Sequence, residues 1–420
     1  MATTRRVDGT LELGGLALAD IANDPRIPTP AYVYDLDAIA REARELREAF
    51  AGAPHLVAYA VKANSAGAIV RALAAVGCGA DVVSGAELAL VRACGVPPER
   101  IVYSGVAKTD DEIDLAIAEE IRAIQIESVE EIDRVGARAA LAKKRARVSL
   151  RINPGLDAEE VDTHRHISTG HDEAKFGVPL ANVPAALERI ARAPHVEIVG
   201  LTSHVGSQIT NVDAYLASAR AVFELAKDIR ARVPISYVDT GGGFGIDYGA
   251  GKPPAPAEFV ARTRALQKEL GLADVAILCE PGRALVGAHG VLLARVIQRK
   301  DTGERRWTMI DAGMNDLMRP ALYQAFHRIV ALGASDSARL SRVVGPVCES
   351  SDDFGLHELP DGDIGFVAIL DAGAYGYSMA SRYNGRALPS EVFLRDGAIA
   401  GFTARSPASV WVEDRLQAGT

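Results

Sequence analysis

One lysine stands out as a candidate for covalent chemistry in this chain of 420 residues. Lys62 lies in the segment YAVKAN, between apolar and small residues, where a strand is predicted to end. An amine that is partly desolvated at such a place has a lowered pKa and becomes a better nucleophile. A lone lysine at a strand end more often extends its ammonium group into water, so the case for Lys62 depends on what surrounds it.

Two glycine-rich segments could bind a phosphate group. DTGGGFG at 239–245 offers backbone amides that no side chain covers, and EPGR at 280–283 adds a carboxylate and a guanidinium. Backbone N–H groups at such a turn can surround a phosphate. A tight turn needs the same glycines, so each segment alone is weak evidence. Together they indicate a phosphate site.

The elements that must position these residues alternate between short apolar strands and helical stretches. Helices are predicted at 66–76, 86–94, 129–143 and 214–230. Strands are predicted at 56–62, 80–84, 101–105, 123–128, 147–153, 198–206, 236–243 and 276–283. Repeated β-then-α units of this kind predict a (β/α)8 TIM-type barrel in an α/β domain over residues 36–285. The pattern alone also permits an open sheet of six or seven strands.

Polar residues collect where the predicted strands end. They are Lys62, Ser84, Ser104, Glu127, Asn153, His204, the glycines at 241–243 and Glu280. The carboxyl-terminal ends of the strands form the catalytic face of such a barrel. This coincidence predicts an enzyme.

The rest of the sequence has a different pattern of predicted elements. After about residue 285, strands are predicted in VLLARVIQRK, RWTMIDAG, IGFVAILDAG and EVFLRDGAI, and long helical stretches are scarce. We therefore expect a β-rich second domain, sandwich- or barrel-like, built from residues 286–420 and from 1–35.

Composition excludes several classes of function. A net charge of −9 does not suit nucleic-acid binding, which needs clustered lysine and arginine. No apolar run approaches the roughly 18 residues that span a membrane, and the amino terminus lacks the apolar stretch of a signal peptide. Cys78, Cys94, Cys279 and Cys348 are widely spaced, which predicts reduced thiols in a cytoplasmic protein.

Several ordered motifs resemble one family over nearly the whole chain. They include YAVKAN at 59–64, HVGSQI at 204–209, DTGGGFGI at 239–246, EPGR at 280–283, GPVCESSD at 345–352 and GAYGYSMASRYNGRALPSEV at 373–392. The chain resembles the diaminopimelate decarboxylases, which are fold-type III enzymes dependent on pyridoxal 5′-phosphate (PLP). The resemblance implies a PLP-dependent conversion of meso-2,6-diaminopimelate to L-lysine and CO2, the last step of lysine biosynthesis.

The resemblance also implies which residues bind the cofactor. Lys62 would carry it, His204 would stack on its ring, and Glu280, followed by Pro281, would face the pyridine nitrogen. A carboxylate there keeps the nitrogen protonated, which favours decarboxylation; the racemase branch of the family has an arginine instead. The phosphate would be held by Ser207, Gly241, Gly242, Gly243, Gly282 and Arg283, with Tyr375 from the second subunit of a homodimer.

Substrate residues are implied in the second domain. Arg319 and Tyr323, with Arg283, would bind the distal carboxylate, and Glu349 would receive the distal ammonium; Tyr375 would also line this region. Such a pair of opposite charges selects a zwitterionic amino-acid head. Cys348 of the second subunit would reprotonate the substrate carbon after CO2 leaves, so that Lys62, His204, Glu280 and Cys348 form the implied catalytic set.

Some alternatives remain open on the sequence. One is a related decarboxylase for lysine, ornithine or a carrier-linked amino acid; another is a regulator without catalysis, although such proteins lose the lysine or the cysteine. A barrel hydrolase for a sugar phosphate would leave Cys348 and Tyr375 unexplained. Thr202 and Ser351 replace residues that are frequently histidine and glycine in the family. We expect no metal at His164, His166 and His171, whose HISTGHDEAKFG context matches a family loop.

Overall fold

The structure, a computed structural model, describes residues 4–5, 9–156, 174–333 and 337–417. Contacts within the chain divide it into two compact units. The barrel unit comprises Ala40–Ile246 and Pro253–Leu285. The sheet unit comprises Met1–Ile39, Asp247–Lys252 and Val286–Thr420.

Eight parallel strands form the centre of the barrel unit. They are β1 His55–Ala60, β2 Gly79–Val82, β3 Ile101–Tyr103, β4 Ala123–Ile126, β5 Ala146–Asn153, β6 Val196–Thr202, β7 Tyr237–Asp239 and β8 Ala276–Cys279. Each strand pairs with the next one along the chain, and β8 pairs with β1. The sheet is therefore closed, which confirms the (β/α)8 barrel and excludes the open sheet. A short strand, Val178–Pro179, adds to β5.

Helices follow the strands, as the periodicity predicts. Those after β1 to β7 are Gly67–Ala75, Gly85–Ala93, Asp110–Ala118, Val129–Leu141, Val183–Arg192, Val212–Ile229 and Pro256–Glu269. Helix Leu36–Glu48 precedes β1, and the short helix Arg283–Val286 follows β8. Ser84 and Ser128 cap two of these helices by accepting hydrogen bonds from the Glu87 and Glu131 amides, respectively. Ser84 thus has a structural role at its strand end. Of the helices in the described ranges, none combines the length and the apolar character that crossing a bilayer requires.

Buried polar side chains lie at one end of the apolar barrel core. Val102, Ala123, Tyr237 and Leu278 belong to one buried cluster in the barrel core, together with Leu56 and Ala58. Successive side chains of a strand point to opposite faces, so residues two apart share a face. Two positions after Val102, Ala123, Tyr237 and Leu278 come Ser104, Gln125, Asp239 and Glu280. The apolar core therefore ends in a layer of buried polar groups.

One close approach in the barrel gives a test of its packing. Gly200 of β6 lies beside Tyr237 of β7, and a Cβ at Gly200 would lie 2.5 Å from the tyrosine ring. We expect Gly200→Ala to lower the free energy of unfolding by about 1–3 kcal/mol, because the ring has to move. Urea unfolding of the two proteins measures this difference.

Gly136 provides the matched control. It lies in helix Val129–Leu141, where a Cβ would meet its nearest neighbour at an ordinary 3.4 Å. Gly136→Ala should leave stability unchanged or raise it by up to about 1 kcal/mol through better helix propensity. Equal effects of the two substitutions would contradict the steric account of Gly200.

The sheet unit is rich in β-structure, as predicted. One large sheet runs in the order Asp353–Pro360, Ala338–Val344, Arg306–Ile310, Gly290–Asp301, Ala31–Asp35, Ser390–Arg395 and Ala398–Thr403. Phe366–Ile369 pairs with Gly290–Asp301 and with Ile329–Ala331. A smaller sheet contains Thr4–Arg5, Leu11–Leu13 and Leu16–Ala17. The described helices of this unit are short: Leu18–Ala22, Arg319–Tyr323 and Ala408–Leu416.

Candidate active site

Lys62 is held by a buried carboxylate. It lies in the 3-10 turn Val61–Ala63, directly after β1, and its Nζ donates to Asp81 Oδ2 at 2.6 Å. About a third of the lysine side chain (35%) is exposed, whereas Asp81 on β2 is fully buried. The Ser104 hydroxyl donates to the other oxygen of Asp81. The amine is therefore oriented at the carboxyl-terminal end of the barrel and remains accessible.

Glu280 belongs to a second buried group of acids. Gln125 Nε2 donates to Glu280 Oε1 at 2.7 Å and lies 3.5 Å from Asp239 Oδ2. The carboxyl groups of Glu280 and Asp239 thus meet at one side-chain amide.

Burial raises the pKa of both acids. Removal from water raises the pKa of Asp239 to about 6, against a usual value of 3.8. Burial and the charges of Asp239 and Asp81 raise the pKa of Glu280 well above its ordinary range, and Lys62 opposes this only in part. Burial therefore favours the protonated form of Glu280. A basic ring nitrogen facing it can take up that proton and form a charge-assisted hydrogen bond.

The raised pKa of Asp239 predicts how stability depends on pH. The folded protein binds a proton at Asp239 up to about pH 6, whereas the unfolded chain loses it near the usual pKa of 3.8. The stability that the protonated carboxyl contributes is complete below about pH 4 and is lost as the pH rises through about 6. Asparagine does not titrate. From pH 4 to pH 7, cofactor-free Asp239→Asn should therefore gain up to about 3 kcal/mol relative to the wild type.

Urea unfolding of both proteins at several pH values between 4 and 7 measures this difference. The wild type serves as the control at each pH, which removes the contributions of all other titrating groups. A stability difference that stays constant across the range would contradict the assigned pKa direction.

His204 is a neutral ring. It follows β6, and its Nδ1 accepts a hydrogen bond from the Gly242 amide at 3.1 Å. Burial, with the positive charges of Arg151 and Lys62, lowers the pKa of His204 well below 6.5. An uncharged imidazole is suited to stacking on an aromatic ring.

Arg151 and Glu127 support the loops around His204. Glu127 accepts from the Arg151 guanidinium at 2.8 Å and from the Gly105 and Gly177 amides, each at 2.9 Å. Arg151 Nη2 also reaches the carbonyl oxygen of His204 at 3.4 Å. This buried pair ties the ends of β3, β4 and β5 together and so has a supporting role.

The three glycines after β7 allow neighbouring loops to touch backbone to backbone. A Cβ at Gly241, Gly242 or Gly243 would lie within 2.5 Å of a carbonyl oxygen of Ser203, Glu280 or Gly206, respectively. The Gly241 amide donates to Asp239 Oδ1 at 2.9 Å, and the Gly242 amide donates to His204. Two of the amides that we expected to be bare thus already hold groups of the site itself.

Arg283 and Ser207 provide positive charge and a hydroxyl group near these loops. Arg283 Nη2 donates to Ser207 Oγ at 2.9 Å, and Arg283 is 6% exposed. Gly282, one position earlier, packs so closely that a Cβ there would lie 2.9 Å from Ala63 Cβ. The Pro281 carbonyl accepts from the Ala60 amide at 3.1 Å. The EPGR segment is thereby fixed next to the turn that carries Lys62.

These groups fit PLP. Lys62 supplies an amine for its aldehyde, and Glu280 supplies a buried acid for its ring nitrogen. His204 supplies a flat neutral ring, and Arg283 with Ser207 supplies a partner for its phosphate. The amine, the acid, the neutral ring and the phosphate partner all belong to the barrel unit.

The other predicted site residues lie in the sheet unit. Arg319 and Tyr323 are in the short helix Arg319–Tyr323, and Tyr375 adopts a positive φ of 56°. Cys348 is exposed, and its amide donates to Asn384 Oδ1 at 3.1 Å. Glu349 accepts from the Tyr383 hydroxyl at 2.6 Å. Cys78, Cys94 and Cys279 are buried. His164, His166 and His171 lie outside the described residues.

Sequence reasoning did not identify the partners of Lys62 and Glu280. Asp81, Gln125 and Asp239 each occupy the last or the second-last position of a strand, in otherwise apolar runs. All three are at most 1% exposed. A polar residue within such a run is the one signal that could have identified them.

Comparison with known proteins places the chain in a family. The sequence profile of the family "Pyridoxal-dependent decarboxylase, pyridoxal binding domain" matches residues 36–287. The diaminopimelate decarboxylase of Aquifex aeolicus is 36% identical over 416 residues, covering 97% of this chain and 96% of that protein. The one from Pseudomonas aeruginosa is 39% identical and covers 92% of each.

A solved structure agrees with both. Diaminopimelate decarboxylase from M. jannaschii in complex with L-lysine superposes with a TM-score of 0.90 at 34% identity, covering 98% of this chain and 97% of that one. Sequence and fold therefore match over the same full length. The chain belongs to the diaminopimelate decarboxylase family of PLP-dependent enzymes.

Proposed function

We propose that this chain decarboxylates meso-2,6-diaminopimelate to L-lysine and CO2, using PLP bound in the barrel unit. The observation that carries the proposal is the agreement with diaminopimelate decarboxylases over 97% of the chain, joined to an accessible Lys62 amine held by Asp81. The M. jannaschii relative has L-lysine bound, which is the product of this reaction. The reaction is the last step of lysine biosynthesis.

The barrel residues would hold the cofactor as follows. Lys62 would bind its aldehyde carbon, and His204 would stack on its ring. Glu280, which accepts a hydrogen bond from Gln125, would face its ring nitrogen, with Pro281 beside it in the sequence. The phosphate would be held by Ser207, Gly243, Gly282 and Arg283, and by Tyr375 of the second subunit. Gly241 and Gly242, whose amides already donate to Asp239 and His204, would shape the loop around it. The bound cofactor supplies an electron sink for the electron pair that remains when CO2 leaves.

The distal end of the substrate requires two opposite charges. Its zwitterionic amino-acid head presents a carboxylate, which Arg319, Tyr323 and Arg283 would bind, and an ammonium, which Glu349 would bind. The hydrogen bond from the Tyr383 hydroxyl keeps the Glu349 carboxylate oriented. Tyr375 would complete this region. Lysine and ornithine decarboxylases need only the acidic partner at this distance, so the pairing favours diaminopimelate.

Cys348 would return a proton to the carbon that loses CO2. Cys348 is exposed in the described chain, and a proton donor must come within hydrogen-bond reach of the carbon it protonates. The family resemblance implies that the carbon lies in the site of a second copy of the chain. We therefore propose a homodimer in which Cys348 and Tyr375 of each subunit complete the site of the other.

Mixing two inactive variants tests the shared sites. Lys62→Ala and Cys348→Ala should each be inactive alone, because each removes one group from every site. After subunit exchange, half of the dimers are mixed and one of their two sites is intact, so about a quarter of wild-type activity should return. No recovery, or a fully active monomer on dilution, would contradict the homodimer.

The reaction itself is tested directly. Purified protein with PLP and meso-diaminopimelate should release equal amounts of CO2 and L-lysine, both of which can be quantified. L-lysine and L-ornithine as substrates provide the comparison. Faster turnover of either would replace the proposal by the related decarboxylase activity.

We also propose that the enzyme works in the cytoplasm. Its four cysteines are free thiols, which suits a reducing compartment. Fractionation of cells that express a tagged full-length chain tests this. Enrichment in a secreted or envelope fraction would contradict it.

A further inference from the structure

The guanidinium of Arg319 is held between a histidine and a tyrosine ring in the sheet unit. Arg319 is 6% exposed, and its Nη1 lies 2.6 Å from His327 Nε2. Its Cζ lies 4.5 Å from the centroid of the Tyr248 ring. The Tyr248 and His327 rings meet edge to face, with centroids 5.1 Å apart. Both contacts favour one orientation of the guanidinium.

The hydrogen bonds of His327 determine its state. Its Nδ1 lies 2.9 Å from the Leu370 carbonyl oxygen, which can only accept, so Nδ1 carries the hydrogen. A guanidinium can only donate, so Nε2 must present its lone pair to Arg319. His327, which is 2% exposed, is therefore neutral and fixed at both nitrogens.

A neighbouring arginine ties the same three segments together. Arg328 Nη2 donates to Asp371 Oδ2 at 2.6 Å and to the Asp247 carbonyl at 3.3 Å. Arg328 and Asp371 come directly after His327 and Leu370 in the sequence, and Asp247 comes directly before Tyr248. The three segments that hold Arg319 are thus joined a second time by Arg328.

We propose that His327 and Tyr248 are positioning residues, which fix Arg319 for recognition of the distal carboxylate of the substrate. The inference rests on the proposed function, which assigns that carboxylate to Arg319. A guanidinium that is already oriented loses little freedom when it binds, so the binding energy is kept for the carboxylate. His327 acts through Arg319 and has no part in the bond-breaking step.

A positioning role for His327 should affect only ligands that carry a distal carboxylate. Meso-diaminopimelate and L-lysine both present a distal carboxylate, whereas 1,5-diaminopentane presents none. If Arg319 is less well oriented, binding of meso-diaminopimelate and L-lysine should weaken, and binding of 1,5-diaminopentane should stay unchanged. A role limited to general stability would affect all three alike.

The experiment compares His327→Leu with His327→Gln in the full-length holoenzyme. Leucine removes the acceptor, and we expect KM for meso-diaminopimelate and Ki for L-lysine to rise about 10- to 100-fold, as for loss of a hydrogen bond to a charged group. The turnover number kcat and Ki for 1,5-diaminopentane should change less than about threefold, which lies within the non-additivity of such variants. Glutamine can offer an amide oxygen in place of Nε2 and should restore most of the affinity.

His357 supplies the matched control. It is another buried histidine of the sheet unit, and its ring contacts the Phe354 carbonyl at 2.9 Å. His357→Leu should leave KM and Ki unchanged. Should His327→Leu fail to fold, Tyr248→Leu tests the same orientation, with an expected rise in KM of about 3- to 30-fold from the lost cation–π contact.

The outcomes are distinguishable. If Ki for 1,5-diaminopentane rises as much as Ki for L-lysine, or if kcat falls while KM is unchanged, the positioning role is overturned and the proposed function stands. A wild-type enzyme that does not act on meso-diaminopimelate would overturn the proposed function, and the inference with it.

Discussion

Lys62→Ala is expected to lower kcat/KM for meso-diaminopimelate by at least about a thousandfold, because the amine that holds and orients the cofactor is removed. The variant should also lose the absorption band of lysine-bound PLP. Steady-state assays and absorption spectra of the PLP-saturated proteins measure the two effects.

Lys62→Arg separates chemistry from electrostatics. The guanidinium keeps the positive charge beside Asp81, so stability should be preserved, but at neutral pH it has no nucleophilic amine. Activity should be lost as in the alanine variant. Lys144→Ala, which removes a surface lysine (38% exposed), should be fully active. Substantial turnover by either Lys62 variant would show that the amine is elsewhere.

Glu280→Gln is the second substitution with a large expected effect. The amide keeps the size of the side chain and its contact with Gln125, but it has no acidic proton and no negative charge for a protonated ring nitrogen. We expect kcat to fall about a hundred- to a thousandfold, as for other preorganised groups that stabilise developing charge. PLP should still bind through Lys62, so the visible spectrum should persist while turnover falls.

Glu119→Gln is the control for this change. Glu119 forms an ion pair with Arg92 at 2.7 Å on the surface of the barrel unit. Its replacement should change activity and stability little, because exposed ion pairs contribute up to about 1 kcal/mol. Comparable losses in both variants would mean that Glu280 has no special role.

The eight β-then-α units and a barrel were predicted from the sequence, but the pattern alone did not exclude an open sheet, and the ends of the strands were not predicted. Segments 198–206 and 236–243 were predicted as strands, whereas the strands end at Thr202 and Asp239. Beyond them, the chain continues to form backbone hydrogen bonds, such as Ser203 to Asp239 at 3.0 Å and Ile209 to Gly243 at 2.8 Å. Loops that bond to one another in this way keep the composition of strands without their geometry.

In the sheet unit, some strands were missed altogether. Strands Ala338–Val344 and Asp353–Pro360 were not predicted, because their sequence does not follow the usual alternation of buried apolar and exposed polar residues. Leu340 and Leu356 are exposed, whereas Ser341 and His357 are buried. Nor does the sequence indicate that Asp247–Lys252 packs with the sheet unit. That association follows from contacts of Asp247 and Tyr248 with Arg328 and Arg319, far along the chain.

For the site, sequence reasoning identified side chains but not their partners. Lys62 and Glu280 stood out by motif, whereas Asp81 and Gln125 are defined by the groups that they contact. Gln125 and Glu280 are 155 positions apart, and only the closure of the barrel brings them together. The same holds for His327 and Tyr248, whose importance depends on Arg319.

The central claim is that Lys62 binds PLP covalently. Reduction of the holoenzyme with borohydride fixes the cofactor to the amine that holds it, and peptide mapping then locates the label. We predict one labelled peptide, containing YAVKAN with the label on Lys62. A label on another lysine, or none in protein that is saturated with PLP, would contradict the account.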